Sequence, residues 1–276
     1  MTLPHAEVIG DPIVHSKSPV IHGFWLDALR IEAAYRKVHI APDELADYFA
    51  ARRRDSGWRG CNVTIPHKIE TIALIDRLDA SAVAVGAVNT VVAEDGGLVG
   101  YNTDVDGILA ALPDHRLGAQ SAVCLIGTGG AARAALAACR QRGVTRIASI
   151  ARDAAGSARL FAEFGYPAVQ RGLEDRDALG GADVVINATP LGMTGKGAMP
   201  ASILQGLSRV KRGGVAFDMV YAPLETELLA AARAAGLAAI DGLHMLIGQA
   251  ATAFEKFYGQ APPRDRDADL RVLLTA

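Results

Sequence analysis

The chain has 276 residues, 50% of them hydrophobic and 21% charged, with a formal net charge of −2. That length exceeds a typical single domain and points to two, and the composition excludes a disordered chain. Acids and bases are interspersed, which excludes a basic stripe for nucleic acid or an anionic membrane.

In chain order, Ala6 to Gly10 reads as a buried strand. After Pro19, the apolar residues Ile21, Phe24, Trp25, Ala28 and Leu29 recur at helical spacing. Residues 34–40 are extended, and residues 43–54 helical behind Pro42. The triplet Arg52, Arg53, Arg54 then reads as a solvated helix end, where cations complement the helix dipole. Gly60 to Ile65 forms a short strand running into Pro66. Residues 89–93 and 98–102 flank Asp95-Gly96-Gly97, a hairpin signal.

From Ala122 the texture changes. Ala122 to Ile126 is a buried strand, followed by a helix to Arg142 that Gly143 stops. Residues 146–150, 184–187, 215–218 and 238–240 form further strands with helical stretches between most of them, the rhythm of a doubly wound parallel sheet. A last long helix covers residues 243–257, and the tail beyond it reads as irregular at first, ending in a short terminal helix. Three cysteines, Cys61, Cys124 and Cys139, show no CxxC spacing and exclude a disulfide framework or zinc cluster; Cys124 and Cys139 suit the core. His5, His39 and His115 read as surface residues, His22 lies on the first helix, and no metal-ligand spacing appears, so no metal is assigned. No stretch of about 18 apolar residues and no signal-like leader is present, so the expectation is a soluble, cytoplasmic protein without membrane partners.

Gly127-Thr128-Gly129-Gly130-Ala131-Ala132 fits G-x-G-x-x-A between a strand and a helix. Gly127 permits a tight turn, Gly129 lets a pyrophosphate approach the backbone, and Ala132 keeps helix and sheet close. The helix N-terminus offers free N–H groups to the phosphates. About twenty residues later, where a Rossmann fold selects its cofactor, stand Arg152 and Asp153. The arginine favours the 2′-phosphate of NADP; the acid either favours NAD or starts the next helix.

Several polar clusters precede this region. Ser16 and Ser18 place paired hydroxyls before a helix, suited to holding a carboxylate, although Ser18 also fits a helix cap before Pro19. Thr64, Lys68, Asn89 and Asp104 lie at strand ends, a fork of donors and acceptors for a cyclic polyol. Hydride transfer to a ketone builds negative charge on oxygen, which a lysine can stabilise and protonate while a carboxylate orients it. Without further context, Lys68 also fits a surface turn and Asp104 a helix cap.

Together with the glycine loop, the strings Ile9-Gly10-Asp11-Pro12, Ser16-Lys17-Ser18-Pro19, residues 60–66 (GCNVTIP), residues 86–90 (GAVNT) and Asn102-Thr103-Asp104 resemble the shikimate dehydrogenase family. The likeness continues through residues 187–193 (NATPLGM), Asp218-Met219-Val220-Tyr221, Asp241-Gly242 and Gln249-Ala250-Ala251, from near residue 6 to near residue 260. It implies an α/β fold in which an N-terminal α/β substrate domain, residues 1–104 completed by 242–276, accompanies a Rossmann-like dinucleotide-binding domain, 105–241, with a cleft between them. It further implies reversible NADPH-dependent reduction of 3-dehydroshikimate to shikimate in aromatic amino-acid biosynthesis, by a monomer or homodimer. By the same resemblance Ser16, Ser18 and Tyr221 hold the carboxylate; Thr64, Asn89, Asp104 and Gln249 hold the ring hydroxyls; and Lys68 with Asp104 is the catalytic pair. Residues Gly127, Thr128, Gly129, Gly130, Ala131, Ala132, Arg152, Thr189, Met219 and Gly242 meet the cofactor.

Three positions depart from the family pattern. Ala151-Arg152-Asp153 replaces the common Asn-Arg-Thr, which leaves NAD open beside NADP; Val105-Asp106-Gly107 delays a glycine that commonly follows the aspartate; and His244 stands where a small residue is usual. Two rivals follow: a quinate/shikimate dehydrogenase using NAD, and a non-catalytic dinucleotide-binding sensor on the same scaffold.

Overall fold

A computed structural model describes residues 3–276. The chain divides into two compact units, one formed by the described residues up to Asp104 with Gln249–Ala276, the other by Val105–Gly248.

The first unit contains β1 (His5–Gly10), α1 (Ser18–Leu29), β2 (Ala34–His39), α2 (Leu45–Arg52), β3 (Trp58–Val63), β4 (Arg77–Leu78), α3 (Ala80–Val85), β5 (Thr90–Glu94) and β6 (Gly97–Tyr101). Its strands form a six-stranded sheet in the order β2-β1-β3-β5-β6-β4. β1 pairs in parallel with β2 and β3, and the hairpin β5–β6 runs antiparallel beside β3. Asp95 and Gly96, both at positive φ, make the hairpin turn that the sequence signals. All six residues of β1 are buried, as expected of a central strand covered on both faces. Ile9, Phe49, Trp58, Val63, Val88 and Val91 anchor the core around it.

That central burial corrects two sequence expectations. His5 is not a surface residue: it is 3% exposed, its Nδ1 lies 3.2 Å from the Leu3 carbonyl oxygen, and its Nε2 is 3.5 Å from Asp55. Arg52 does not simply end a helix in solvent. Its Nε and Nη2 donate to the two carboxylate oxygens of Glu7, each at 2.9 Å, and Tyr48 donates to Glu7 Oε2 at 2.8 Å. Glu7 is 1% exposed on β1, so the guanidinium is drawn inward to balance a buried charge. The strand expected over residues 60–65 lies earlier, at β3, and Thr64 begins the turn beyond it.

α4 (Asp104–Ala111) leads into the second unit. There follow β7 (Ala122–Ile126), α5 (Gly130–Gln141), β8 (Arg146–Ile150), α6 (Ala154–Glu163), β9 (Val169–Arg171), β10 (Val184–Asn187), α7 (Ala201–Gly206), β11 (Val215–Asp218), α8 (Glu227–Ala234) and β12 (Ala238–Ile240). The order β12-β11-β10-β7-β8-β9, with every pairing parallel, is a doubly wound sheet. Its chain reverses direction across the sheet at β7, and in such sheets ligands bind beyond the strand ends at that reversal. Ile126, Leu179, Val185, Ile203 and Leu228 pack one face of it. α9 (Gly242–Tyr258) returns the chain to the first unit, and α10 (Asp267–Thr275) ends it. Among the described residues no helix is long and apolar enough to cross a membrane, and no cluster of three or more His, Cys, Asp or Glu could hold a metal ion.

Candidate active site

In the first unit, polar groups converge where β5 and β6 meet the start of α4. Lys68 lies in the turn after β3; its carbonyl accepts the Val88 N–H at 2.8 Å, and the neighbouring His67 ring bonds the Ile40 carbonyl at 2.7 Å. Backbone and ring anchors thus fix the base of the lysine while its side chain extends. Lys68 Nζ lies 2.6 Å from Asp104 Oδ2, with side-chain exposures of 24% and 9%. The other oxygen, Asp104 Oδ1, accepts from Asn89 Nδ2 at 3.0 Å. Lys68 is ion-paired, and Asp104 is the first residue of α4 with both carboxylate oxygens engaged by side chains.

Asn89 also donates to Thr103 Oγ1 at 3.0 Å and accepts the Thr103 N–H at 2.8 Å. Asn102 Oδ1 accepts the Asp104 N–H at 3.0 Å, and Asn102 Nδ2 donates to the Ala87 carbonyl. From α9, Gln249 Oε1 accepts from Thr103 Oγ1 at 3.4 Å. Lys68, Asn89, Asp104 and Gln249 are therefore brought together. Thr64 is half-buried just past β3, placed by its N–H on the Ile9 carbonyl at 3.0 Å. Ser18 is the first residue of α1, not its cap, which is Lys17; Ser16 Oγ accepts the Ser18 N–H at 3.4 Å. Lys17 Nζ donates to the Leu274 carbonyl of α10 and pins the loop from outside.

The sequence reading missed Tyr35, whose hydroxyl donates to Asn62 Oδ1 at 2.6 Å, and Thr90, which joins Asn62 to Asn89. A tyrosine inside a strand is ordinary β-sheet chemistry and carries no functional signal.

In the second unit, the glycine loop follows β7. Gly127 has φ +105°, and a Cβ there would lie 2.5 Å from Thr189 Cγ2, so only glycine fits. Gly129 is the N-cap of α5, and a Cβ on Gly129 or Gly130 would meet nothing within 4 Å. That leaves an open cradle against the first N–H groups of a 12-residue helix with no acid in its first turn. Thr128 and Ala131 line the same turn, and Ala132 is fully buried against the sheet. Arg152 is exposed beyond β8, while Asp153 is the N-cap of α6, its side chain accepting the Gly156 N–H at 2.9 Å.

The ends of β10 and β11 are tied by Asn187 and Asp218. Asn187 Oδ1 accepts from the Thr189 N–H at 3.0 Å and hydroxyl at 2.7 Å, and Asn187 Nδ2 donates to Asp218 Oδ1 at 2.9 Å. Thr226 donates to Asp218 Oδ2 at 2.7 Å. Burial raises the Asp218 pKa despite these donors. Met219 N–H reaches the Asn187 carbonyl, and a Cβ on Gly242 would lie 2.4 Å from the Met219 carbonyl oxygen. Tyr221 is half-buried after β11 in this unit, its phenol pKa raised by burial. His244, in the first turn of α9, lies 3.4 Å from Asp241 and is half exposed. These residues fit a dinucleotide: an open glycine cradle, a helix N-terminus, and a free-standing arginine whose acidic neighbour is already used as a cap.

Residues 8–91 match the family model described as the shikimate dehydrogenase substrate binding domain. A protein of Sphingopyxis alaskensis named shikimate dehydrogenase (NADP(+)) is 47% identical over 275 residues, covering 99% of this chain and 97% of the relative. The chain belongs to the shikimate dehydrogenase family. A Methylobacterium radiotolerans protein of the same name is 44% identical, covering 94% of this chain and 93% of its own. Among solved structures, shikimate 5-dehydrogenase of Thermus thermophilus in complex with NADP(H) and shikimate superposes with a TM-score of 0.85 at 32% identity, over 98% of this chain and 99% of that one. The two sheets described above are thus the substrate-binding and Rossmann-like folds of a shikimate dehydrogenase, and the fold expected from the sequence holds.

Proposed function

We propose that this protein interconverts 3-dehydroshikimate and shikimate reversibly with NADP(H), as an enzyme of the shikimate pathway to aromatic amino acids. The observation that carries the reading is the Lys68–Asp104 pair at 2.6 Å, braced by Asn89, in a chain 47% identical to a named NADP-dependent relative.

Bound in the glycine cradle of the second unit, the nicotinamide dinucleotide supplies or accepts the hydride. In the reducing direction, the substrate carbonyl becomes an alkoxide-like oxygen, and the Lys68 ammonium stabilises that charge and delivers a proton to it. Asp104 accepts from Lys68, holds it at the reacting oxygen and accepts a ring hydroxyl; Asn89, Thr64 and Gln249 hold the remaining hydroxyls. Ser16 and Ser18 receive the substrate carboxylate as neutral donors. In the oxidising direction the proton returns to Lys68, so one lysine serves both directions.

Gly127 to Ala132 hold the phosphates, flanked by Thr189, Met219 and Gly242. Arg152 takes the 2′-phosphate. The capping of α6 by Asp153 supports NADP over NAD, because the carboxylate that would compete for the ribose hydroxyls is bound to its own helix. The test is purified protein with shikimate and NADP⁺: shikimate-dependent formation of NADPH supports the reading, and cofactor binding without turnover supports the sensor.

A further inference from the structure

Tyr35 stands in β2, separated from β3 by β1, where its Cα partner is the small Ala6. Its hydroxyl begins a one-way chain of hydrogen bonds that ends at Asp104. Tyr35 donates to Asn62 Oδ1 at 2.6 Å. With its oxygen taken, Asn62 turns Nδ2 the other way and donates to Thr90 Oγ1 at 3.0 Å. The Thr90 proton is then left for Asn89 Oδ1 at 2.9 Å. Together with the Thr103 N–H on the same oxygen at 2.8 Å, that orients Asn89 Nδ2 onto Asp104 Oδ1 at 3.0 Å, and the opposite oxygen carries Lys68 at 2.6 Å.

Every member is buried, from Tyr35 at 9% exposure to Thr90 at 0%, so water does not stand in for a missing link. A side-chain amide offers a donor on one end and an acceptor on the other. Flipping either asparagine alone would set donor against donor or acceptor against acceptor, which a buried network penalises heavily. The chain is held at both ends, by the Tyr35 phenol on Asn62 and by the Thr103 N–H, which donates to Asn89 Oδ1 at 2.8 Å. The phenol there is well held: the His22 ring stacks on it at 3.9 Å and 5° between planes, and Phe257 lies 6.3 Å away. Burial, above all, raises the Tyr35 pKa, so its proton stays in place, with the Ser18 hydroxyl acting in the opposite sense from close by.

We propose that Tyr35 is a positioning residue for the Lys68–Asp104 pair: its hydroxyl completes the buried hydrogen-bond chain through Asn62, Thr90 and Asn89 that steadies the carboxylate presenting Lys68 to the reacting oxygen. This rests on the reading of Lys68 and Asp104 as the catalytic pair. Without the phenolic proton, Asn62 Oδ1 is left buried without that donor, and the link through Thr90 that reinforces the Thr103 N–H in holding Asn89 is loosened.

Tyr35→Phe removes one oxygen and keeps the ring stack. Its kcat for shikimate oxidation is expected to fall roughly 5- to 20-fold, the loss of about one buried hydrogen bond at the reacting pair. The shikimate KM should stay within about twofold and Tm near the wild type, because the substrate is not the partner that is lost. Thr90→Val interrupts the same chain at its middle and should give a similar loss, with Thr90→Ser recovering most of it. The double variant Tyr35→Phe/Thr90→Val should fall no further than the worse single variant, since both cut one chain. A Tyr35→Phe kcat within twofold of wild type overturns the proposal, as do losses that multiply in the double variant or a defect confined to the shikimate KM. Should Tyr35→Phe not fold, the Thr90 pair decides: Thr90→Ser no better than Thr90→Val rejects the chain. Wild-type protein without shikimate-dependent activity would reject the functional reading itself, whereas an active wild type with an indifferent Tyr35→Phe rejects only the positioning role.

Discussion

Lys68 Nζ and Asp104 Oδ2 lie 2.6 Å apart, and the second oxygen of the same carboxylate is held by Asn89 at 3.0 Å. A lysine held this way is oriented without being neutralised by a bidentate partner, and its side chain remains about a quarter exposed. Lys68→Ala should lower kcat roughly 10²- to 10⁴-fold with a milder change in shikimate KM. Steady-state kinetics of the purified variant check this; a kcat near wild type would remove Lys68 from the chemistry.

Arg152 and Asp153 separate into two jobs. Arg152→Ala should cut kcat/KM for NADP⁺ roughly 10- to 100-fold while changing NAD⁺ little, the loss of a charge-assisted contact to one phosphate. Asp153→Ala should instead cost about 1 kcal/mol of stability as a lost helix cap. A large rise in the NADP⁺-to-NAD⁺ ratio on Asp153→Ala would mean that the carboxylate faces the ribose after all.

Gly242 is required by close approach. An alanine there would place its Cβ 2.4 Å from the Met219 carbonyl oxygen and 2.7 Å from that of Val220, both backbone atoms that do not swing aside. Gly242→Ala is expected to destabilise the protein by about 1–3 kcal/mol and to weaken dinucleotide binding together with it. Thermal unfolding with and without NADP⁺ measures both; unchanged Tm and affinity would contradict the contact.

His22 predicts an acid-labile fold. It is fully buried on α1, and burial lowers its pKa from 6.5 to about 3. Between those values the unfolded chain binds a proton that the folded chain refuses, so stability is complete above pH 6.5 and declines as pH falls toward 3. One such group contributes a slope of about 1.4 kcal/mol per pH unit at most. His22→Leu should flatten urea-unfolding free energies across that window; an unchanged slope would place the acid sensitivity elsewhere.

Much of this molecule is legible in its sequence where a local rule governs. β7, β8, β10, β11 and β12 fall where short apolar runs are bounded by turn residues, and the Gly127 loop identifies itself because turn, helix start and close packing all act within six positions. Lys68, Asn89, Asp104 and Gln249 were nameable because they sit in recognisable strings. What stayed hidden depends on register between distant strands. The pairing of Asn62 with Thr90 across β3 and β5 makes the central link of the hydrogen-bond chain, and nothing near either residue announces it. The same holds for Arg52 and Glu7, which meet only because α2 packs on a strand that buries an acid, and for His5, which is buried by the position of β1 in the sheet rather than by its own neighbours.

The central claim is tested most directly by kcat/KM of the wild-type protein for shikimate and quinate, each with NADP⁺ and NAD⁺. Shikimate with NADP⁺ should exceed the other three combinations; quinate with NAD⁺ in first place, or no turnover of either acid, would contradict the account.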